Sequence, residues 1–303
     1  MTFTDTERAA VDKALTTTRA VRLRLDLTRP VAEDLLLDCI EIAEQAPCGG
    51  AQPSRRWLIV ADPALRKQLG EYYREVLYPG LAAEFAWPVP GDADFTGGPT
   101  GDTQLERVFR SALHLGAHFD EVPVLVLCAI YGDYDRSGNP GLFDSVIQAG
   151  WSFCLAARAR GLGTCWTTAH LAKAAEVADL LGLPAGVTQI ALFPVAHTIG
   201  SEFRPADRPR AADITYFDQW GLGTNSVALD VDIPGADPST VWASVVAVCE
   251  ERGRLNNPEQ PTECGWTAAD HEGRFQLRPR IYGGTRLGCT VRFRGRPTRE
   301  PAR

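Results

Sequence analysis

Apolar residues recur every three or four positions in some stretches of the chain and on alternate positions in others. The two periods divide it into helices and strands. Val11 and Leu15 share one face of a predicted helix over residues 5–18, with Thr4 or Asp5 as its cap. Residues 19–27 (RAVRLRLDL) alternate basic and apolar side chains and read as extended or irregular. Pro30 is placed to open a second helix, with Glu33 and Asp34 in its first turn. Leu36, Ile40 and Ala43 give that helix a buried face, and Ala46-Pro47 ends it. WLIVAD (57–62) is apolar on both faces, as in the interior of a sheet.

Residues 63–77 and 104–118 have helical spacing; between them, 86–103 are rich in Pro, Gly and Asp and read as a loop or lid. VPVLVLCAIY (122–131) is the most strand-like run in the chain, followed by a Gly- and Asp-rich turn at 132–141. A long apolar helix over 143–160 ends at Gly161, a natural C-cap. TCWTT (164–168) reads as a strand or extended turn, 171–182 as a helix and QIALFPVAH (189–197) as another strand. Strands separated by helices predict an α/β or α+β sandwich of about 200 residues. Beyond residue 221 the pattern changes. VALDVDIP (227–234) alternates like an edge strand and STVWASVVAVCEE (239–251) is an amphipathic helix, whereas 253–303 have little periodicity.

Composition narrows the function classes. The chain has 303 residues, 45% hydrophobic and 23% charged, with net charge −7. Residues 253–303 carry +5 and residues 1–252 carry −12. So acidic a body repels phosphate backbones, which argues against nucleic acid as a partner. No run of 18 apolar residues suggests a membrane span, and the charged start lacks the apolar core of a secretory signal, so a cytoplasmic protein is expected. The eight cysteines form no CxxC pair and lie at no zinc-ligand spacing from a His; buried thiols in a reducing compartment are expected.

Four segments could carry chemistry. Arg19, Arg22 and Arg24 form a basic strip in which Arg22 and Arg24 would project together from an extended chain. Arg208 and Arg210 form a second pair, and guanidinium forks suit phosphate oxygens. APCGGAQPS (46–54) ends a helix in paired glycines, which let a backbone approach a planar ligand closely. GLGTCWTT (161–168) lacks the third glycine of a dinucleotide fingerprint, but Trp166, Thr167 and Thr168 could offer an aromatic face and polar groups to a flat heterocycle. Each also has an ordinary reading: a solvated strip, a salt-bridged turn, a helix-ending loop, a tight turn. His114 and His118 share a helix face without a third ligand nearby. There is no GxSxG elbow, P-loop, HExxH or SxxK.

In order, these segments resemble the nitroreductase family of flavin enzymes. TTTRAVRLRLD (16–26) is similar to the family's opening Arg-Ser-Val-Arg segment. APCGGAQPSRRWLIVAD (46–62) is similar to its amide loop and strand, and SVIQAGWSFCLAARARGLGTCWTT (145–168) to its central helix and flavin-contacting strand. LLGLPAGVTQIALFPVAHTIG (180–200) and RPRAADITYFDQWG (208–221) complete the resemblance, which covers about residues 8–221. It implies an α+β three-layer fold with a central, mainly antiparallel sheet flanked by helices. It also implies a homodimer with one FMN at each interface site, NADH or NADPH as reductant, and ping-pong transfer to nitroaromatics, quinones or similar small-molecule acceptors. By position, Arg19, Ala20, Val21 and Arg22 would bind FMN, with Ala20 where the family has Ser. Gln52 would take the amide position, leaving Ser54 or Arg55 where Trp is usual. Trp166, Thr167 and Thr168 would contact the flavin ring, and Arg208 and Arg210 would grip the phosphate. No catalytic side chain is implied, because the flavin carries the chemistry.

The implied division is a flavin-binding domain over 1–222 and an extension over 223–303. VDIPGADPSTVWASV (231–245) resembles the opening of a START-like domain, too short here to close a cavity. A truncated segment is therefore expected, with 253–303 poorly ordered. Alternatives are a flavin-binding or storage protein with little turnover, an enzyme acting on flavin itself or on halogenated aromatics, and an acidic scaffold with an anion-binding tail. The sequence does not choose among NADH, NADPH and a deazaflavin donor.

Overall fold

The computed structural model describes residues 2–49, 54–85, 104–132, 140–216, 226–233, 238–252, 254–256, 263–267, 271–279 and 285–293. The chain divides into two compact units, Met1–Ala206 and Asp207–Arg303.

The first unit is built on strands β1 (Arg55–Val60), β2 (Val124–Tyr131), β3 (Leu162–Thr164) and β4 (Val187–His197). They lie in the order β1-β2-β4-β3, and every neighbouring pair is antiparallel. Helices α1 (Asp5–Thr17), α2 (Glu33–Ala43), α3 (Pro63–Phe85), α4 (Gln104–Ala117), α5 (Pro140–Ala159) and α6 (Ala174–Leu181) complete it, with short 3-10 turns at Phe119–Glu121 and Ala169–Lys173.

Alternation along β2 makes the layers. Val124, Val126, Cys128 and Ile130 face a core with Leu36 and Cys39 of α2 and Phe153 of α5. Leu125 and Leu127 face a second core with Leu69 and Tyr73 of α3 and Leu115 of α4. A sheet buried on both faces needs no polar alternation, as the runs at 57–62 and 122–131 foretold. The register slips once, where Cys128 pairs with Ala191 but Ala129 pairs with Gln189, leaving Ile190 as the extra residue of a bulge.

Local signals account for most element ends. Thr4 and Glu7 form a reciprocal capping box at α1. Gly161 follows α5 at φ +77°, a conformation that favours glycine. Pro30 does not open α2, which begins at Glu33 after an extended Ala32 that makes no side-chain cap. Helix α3 runs on past 77, through Pro79, to Phe85. The loop expected at 86–103 lies outside the described residues, as do positions 133–139 of the turn after β2. No helix among the described residues is long and apolar enough to cross a membrane.

The second unit contains α7 (Ala211–Ile214), α8 (Pro238–Arg252) and an antiparallel sheet ordered β5-β9-β8-β7-β6. Its strands are β5 (Ser226–Ile233), β6 (Arg254–Asn256), β7 (Glu263–Thr267), β8 (His271–Pro279) and β9 (Thr285–Phe293). β5 is an edge strand, as its alternation suggested. Val241 and Val245 of α8 pack with Phe275 of β8 and Leu287, Cys289 and Val291 of β9. Residues 253–303, where poor order was expected, contain the backbone of β6 to β9.

Candidate functional site

After α1 the chain runs beside β3. Ala20 forms a parallel bridge with Thr164, and the Val21 amide donates to the Thr164 carbonyl at 2.8 Å. Leu25 bridges Thr198, and both Val21 and Leu25 are buried. Gly163 permits this approach: a Cβ there would lie 3.0 Å from Val21, Leu25 and Thr198 side-chain atoms.

Between the two bridges the chain turns, so the period-2 expectation for Arg22 and Arg24 fails. Arg22 Nη1 donates to Ser111 Oγ of α4 at 3.2 Å. Arg24 points elsewhere, donating to the carbonyls of Ile199 and Glu202 at 2.8 Å each and stacking 4.1 Å from the Phe203 ring. Arg158 covers the same ring at 4.5 Å. Arg19 Nη1 reaches the Arg204 carbonyl at 2.7 Å. Three arginines thus pin the segment after β4, a role no local pattern announced.

Trp166 follows β3, but its indole turns inward. It meets the Phe193 ring edge-on at 5.2 Å and lies over Gly150 of α5, where a Cβ would sit 2.4 Å from its Cζ3. Thr167 is buried, and its hydroxyl donates to the Leu192 carbonyl at 2.5 Å. Thr168 is exposed. The run therefore offers a ligand Thr168 and backbone groups rather than the broad indole face.

The loop after α2 is tied down by a residue that the sequence marked only as a departure from the family pattern. Arg55 is 7% exposed and contacts the Glu44 carboxylate and the carbonyls of Glu44, Ala46, Pro47 and Ser145. Ser145 Oγ accepts from the Gly49 amide at 2.8 Å. The Ser54 hydroxyl is buried with no partner among the described residues. Gln52 lies outside the described residues. Arg208 and Arg210 belong to the second unit, where both are exposed and Arg210 precedes α7.

Burial dominates the electrostatics. It raises the Cys165 thiol pKa against the opposing pull of Arg22, and raises Cys154 to about 11. His170, in the 3-10 turn after Thr168, is fully buried, and neither ring nitrogen has a hydrogen-bond partner among the described residues. Burial pushes its pKa down to about 4. The His114 and His118 rings lie 4.5 Å apart, tilted at 50°, and no group among the described residues is suited to a metal ion.

A family model described as the nitroreductase family matches residues 15–197. Comparison with curated proteins gave no match. Among solved structures, an iodotyrosine deiodinase bound to FMN and 3-iodo-L-tyrosine is 18% identical, with a TM-score of 0.51 over 69% of this chain and all of its own. A BluB-like flavoprotein from Clostridium difficile 630 is also 18% identical, with a TM-score of 0.51 over 70% of this chain and 99% of its own. At these identities the likeness is one of fold.

Proposed function

We propose that this chain, which belongs to the nitroreductase family, is an FMN-dependent oxidoreductase that takes electrons from NAD(P)H and delivers them to a nitroaromatic, quinone or related small acceptor by a ping-pong route. The observation that carries the reading is the apposition of Arg19–Arg22 and Thr164–Thr168 through the Ala20–Thr164 bridge.

The donor set there suits a flavin phosphate. Two guanidinium groups flank the bridge in an otherwise acidic body. Arg19 spends one Nη1 donor on Arg204, and its other donors have no partner among the described residues. Arg22 is half-buried, where a charge-assisted bond is stronger than at the surface. In this reading Arg19 and Arg22 hold the phosphate. Ala20 and Val21 contribute backbone, and Thr167 and Thr168 border the ring, with Trp166 bracing their run from behind. When bound, FMN supplies the electron chemistry that links NAD(P)H oxidation to acceptor reduction. In this reading the flavin-binding part is residues 1–222, and 223–303 are an extension that resembles the opening of a START-like domain.

A cytoplasmic homodimer fits the exposed apolar residues. Val11 and Leu15 of α1 and Ile147 and Trp151 of α5 are paired at i, i+4 and are 39–47% exposed. Reduction of a halogenated aromatic is a second reading, favoured by the fold shared with the deiodinase. An absorption spectrum of the purified protein, with the released cofactor identified by mass, tests the flavin assignment. NAD(P)H oxidation with a quinone or nitroaromatic, against halide release from an iodinated phenol, separates the two reactions. A colourless protein that takes up no added FMN overturns both.

A further inference from the structure

The segment that leaves β4 has no secondary structure of its own. Residues 199–204 form neither helix nor strand, yet the Arg204 carbonyl is what Arg19 Nη1 meets, at 2.7 Å. Arg19 is exposed, and a free arginine side chain samples many rotamers. Its orientation is therefore only as fixed as that carbonyl.

Side chains from elsewhere supply the missing order. Arg24 Nε donates to the Ile199 carbonyl and Arg24 Nη1 to the Glu202 carbonyl, both at 2.8 Å. Arg158 of α5 donates from Nη2 to the Ser201 carbonyl at 3.1 Å. Both guanidinium groups also lie over the Phe203 ring, Arg24 at 4.1 Å and Arg158 at 4.5 Å from its centroid. Arg158 Nε is buried with no hydrogen-bond partner among the described residues, so the negative face of the ring takes part of the compensation that a hydrogen bond would give. Phe203 also packs against the core that contains Val21 and Leu25. Gly200, at φ +76°, leaves Arg24 its space: a Cβ there would lie 2.7 Å from Arg24 Nη2. Arg24 stands five residues after Arg19, so the stretch that carries Arg19 also helps to fix the carbonyl that orients it.

We propose that Phe203, gripped by Arg24 and Arg158, is the positioning residue for Arg19: it holds the neighbouring Arg204 carbonyl where that carbonyl presents the Arg19 guanidinium to a flavin phosphate. This rests on the FMN reading. It also gives Arg24, the member of the basic strip that turns away from Arg22, its part in the site.

The test uses the full-length protein, with Phe203→Leu, Phe203→Tyr and Arg158→Gln, each made with Arg19 intact and with Arg19→Ala. Leucine keeps the apolar contact and loses the ring face, whereas tyrosine keeps both. Arg158→Gln removes one of the two charges over the ring and decides the matter if Phe203→Leu fails to fold. The measurement is the FMN dissociation constant by fluorescence quenching. With Arg19 intact, Phe203→Leu and Arg158→Gln are each expected to weaken binding about two- to tenfold, the penalty for immobilising one long side chain, and Phe203→Tyr to match the wild type. With Arg19→Ala, the same substitutions are expected to leave the constant where Arg19→Ala alone puts it. Wild-type constants in the folded variants, or equal losses with and without Arg19, overturn the role of Phe203 alone. A wild type that takes up no FMN overturns the FMN reading, and this role with it.

Discussion

The Val21 amide donates to the Thr164 carbonyl at 2.8 Å, so the strand after the central helix lies directly against the segment after the first helix. That contact joins residues far apart in the chain and sets the Arg22 charge where it opposes the burial-driven rise of the Cys165 thiol pKa. The flavin reading depends on it.

Loss of the Arg22 guanidinium is the most direct test of that site. Arg22→Ala is expected to weaken FMN binding by about 1.5–3 kcal/mol, the range for a hydrogen bond to a charged group. Equilibrium dialysis measures this; unchanged retention of FMN contradicts the role of Arg22.

The resemblance puts Ala20 where the family carries Ser. Ala20→Ser is therefore expected to strengthen FMN binding by ~1 kcal/mol, about fivefold, provided that the new hydroxyl reaches the flavin. Equilibrium dialysis of the apoprotein reads the change; equal affinity places residue 20 away from the cofactor.

Gly150 leaves no room for a side chain, since a Cβ would stand 2.4 Å from Trp166 and 3.3 Å from Phe193. Gly150→Ala is expected to cost about 1–3 kcal/mol by overpacking, despite alanine's better helix propensity. Urea unfolding gives the cost, and a red shift of tryptophan emission reports displacement of the indole. A more stable variant contradicts this packing.

His170 makes stability depend on pH. Its folded-state pKa of about 4 lies below the ordinary 6.5, so between these values the unfolded chain binds more protons. Stability therefore rises with pH through that window and is independent of this group above it. The full effect, reached near pH 4, is about 3 kcal/mol. His170→Leu, which removes two unpartnered nitrogens, should flatten the slope in urea titrations at pH 5 and pH 7.5. An unchanged slope assigns the pH dependence to other groups.

The buried thiols should be inert in the folded protein. Cys39, Cys128, Cys154 and Cys165 are at most 5% exposed, and burial raises the pKa of each. Cys48 is half-buried. Alkylation at pH 8 followed by peptide mass analysis is expected to mark Cys48 before any of these four. Early labelling of Cys165 contradicts its burial.

Much of the first unit was legible in the sequence because burial leaves a local trace. The apolar run at 122–131 has the composition of a strand covered on both faces, and it is the centre of two cores. Of the two caps expected for α1, Thr4 or Asp5, the structure uses Thr4, with Glu7 closing a capping box. Trp166 was visible as an aromatic beside threonines, but only the neighbouring Gly150 and Phe193 show that its ring belongs to the interior. His170 carried no signal, since nothing near it in sequence marks it as buried.

The order of motifs along the chain determined the fold and the family, because hydrophobic period and glycine placement are properties of consecutive residues. The destinations of the charged side chains were decided in three dimensions. Arg22 finds Ser111, 89 residues away, and Arg19 finds Arg204, 185 residues away. A guanidinium bonds to whichever carbonyl or hydroxyl the fold brings within about 3 Å, and no spacing along the chain encodes that meeting.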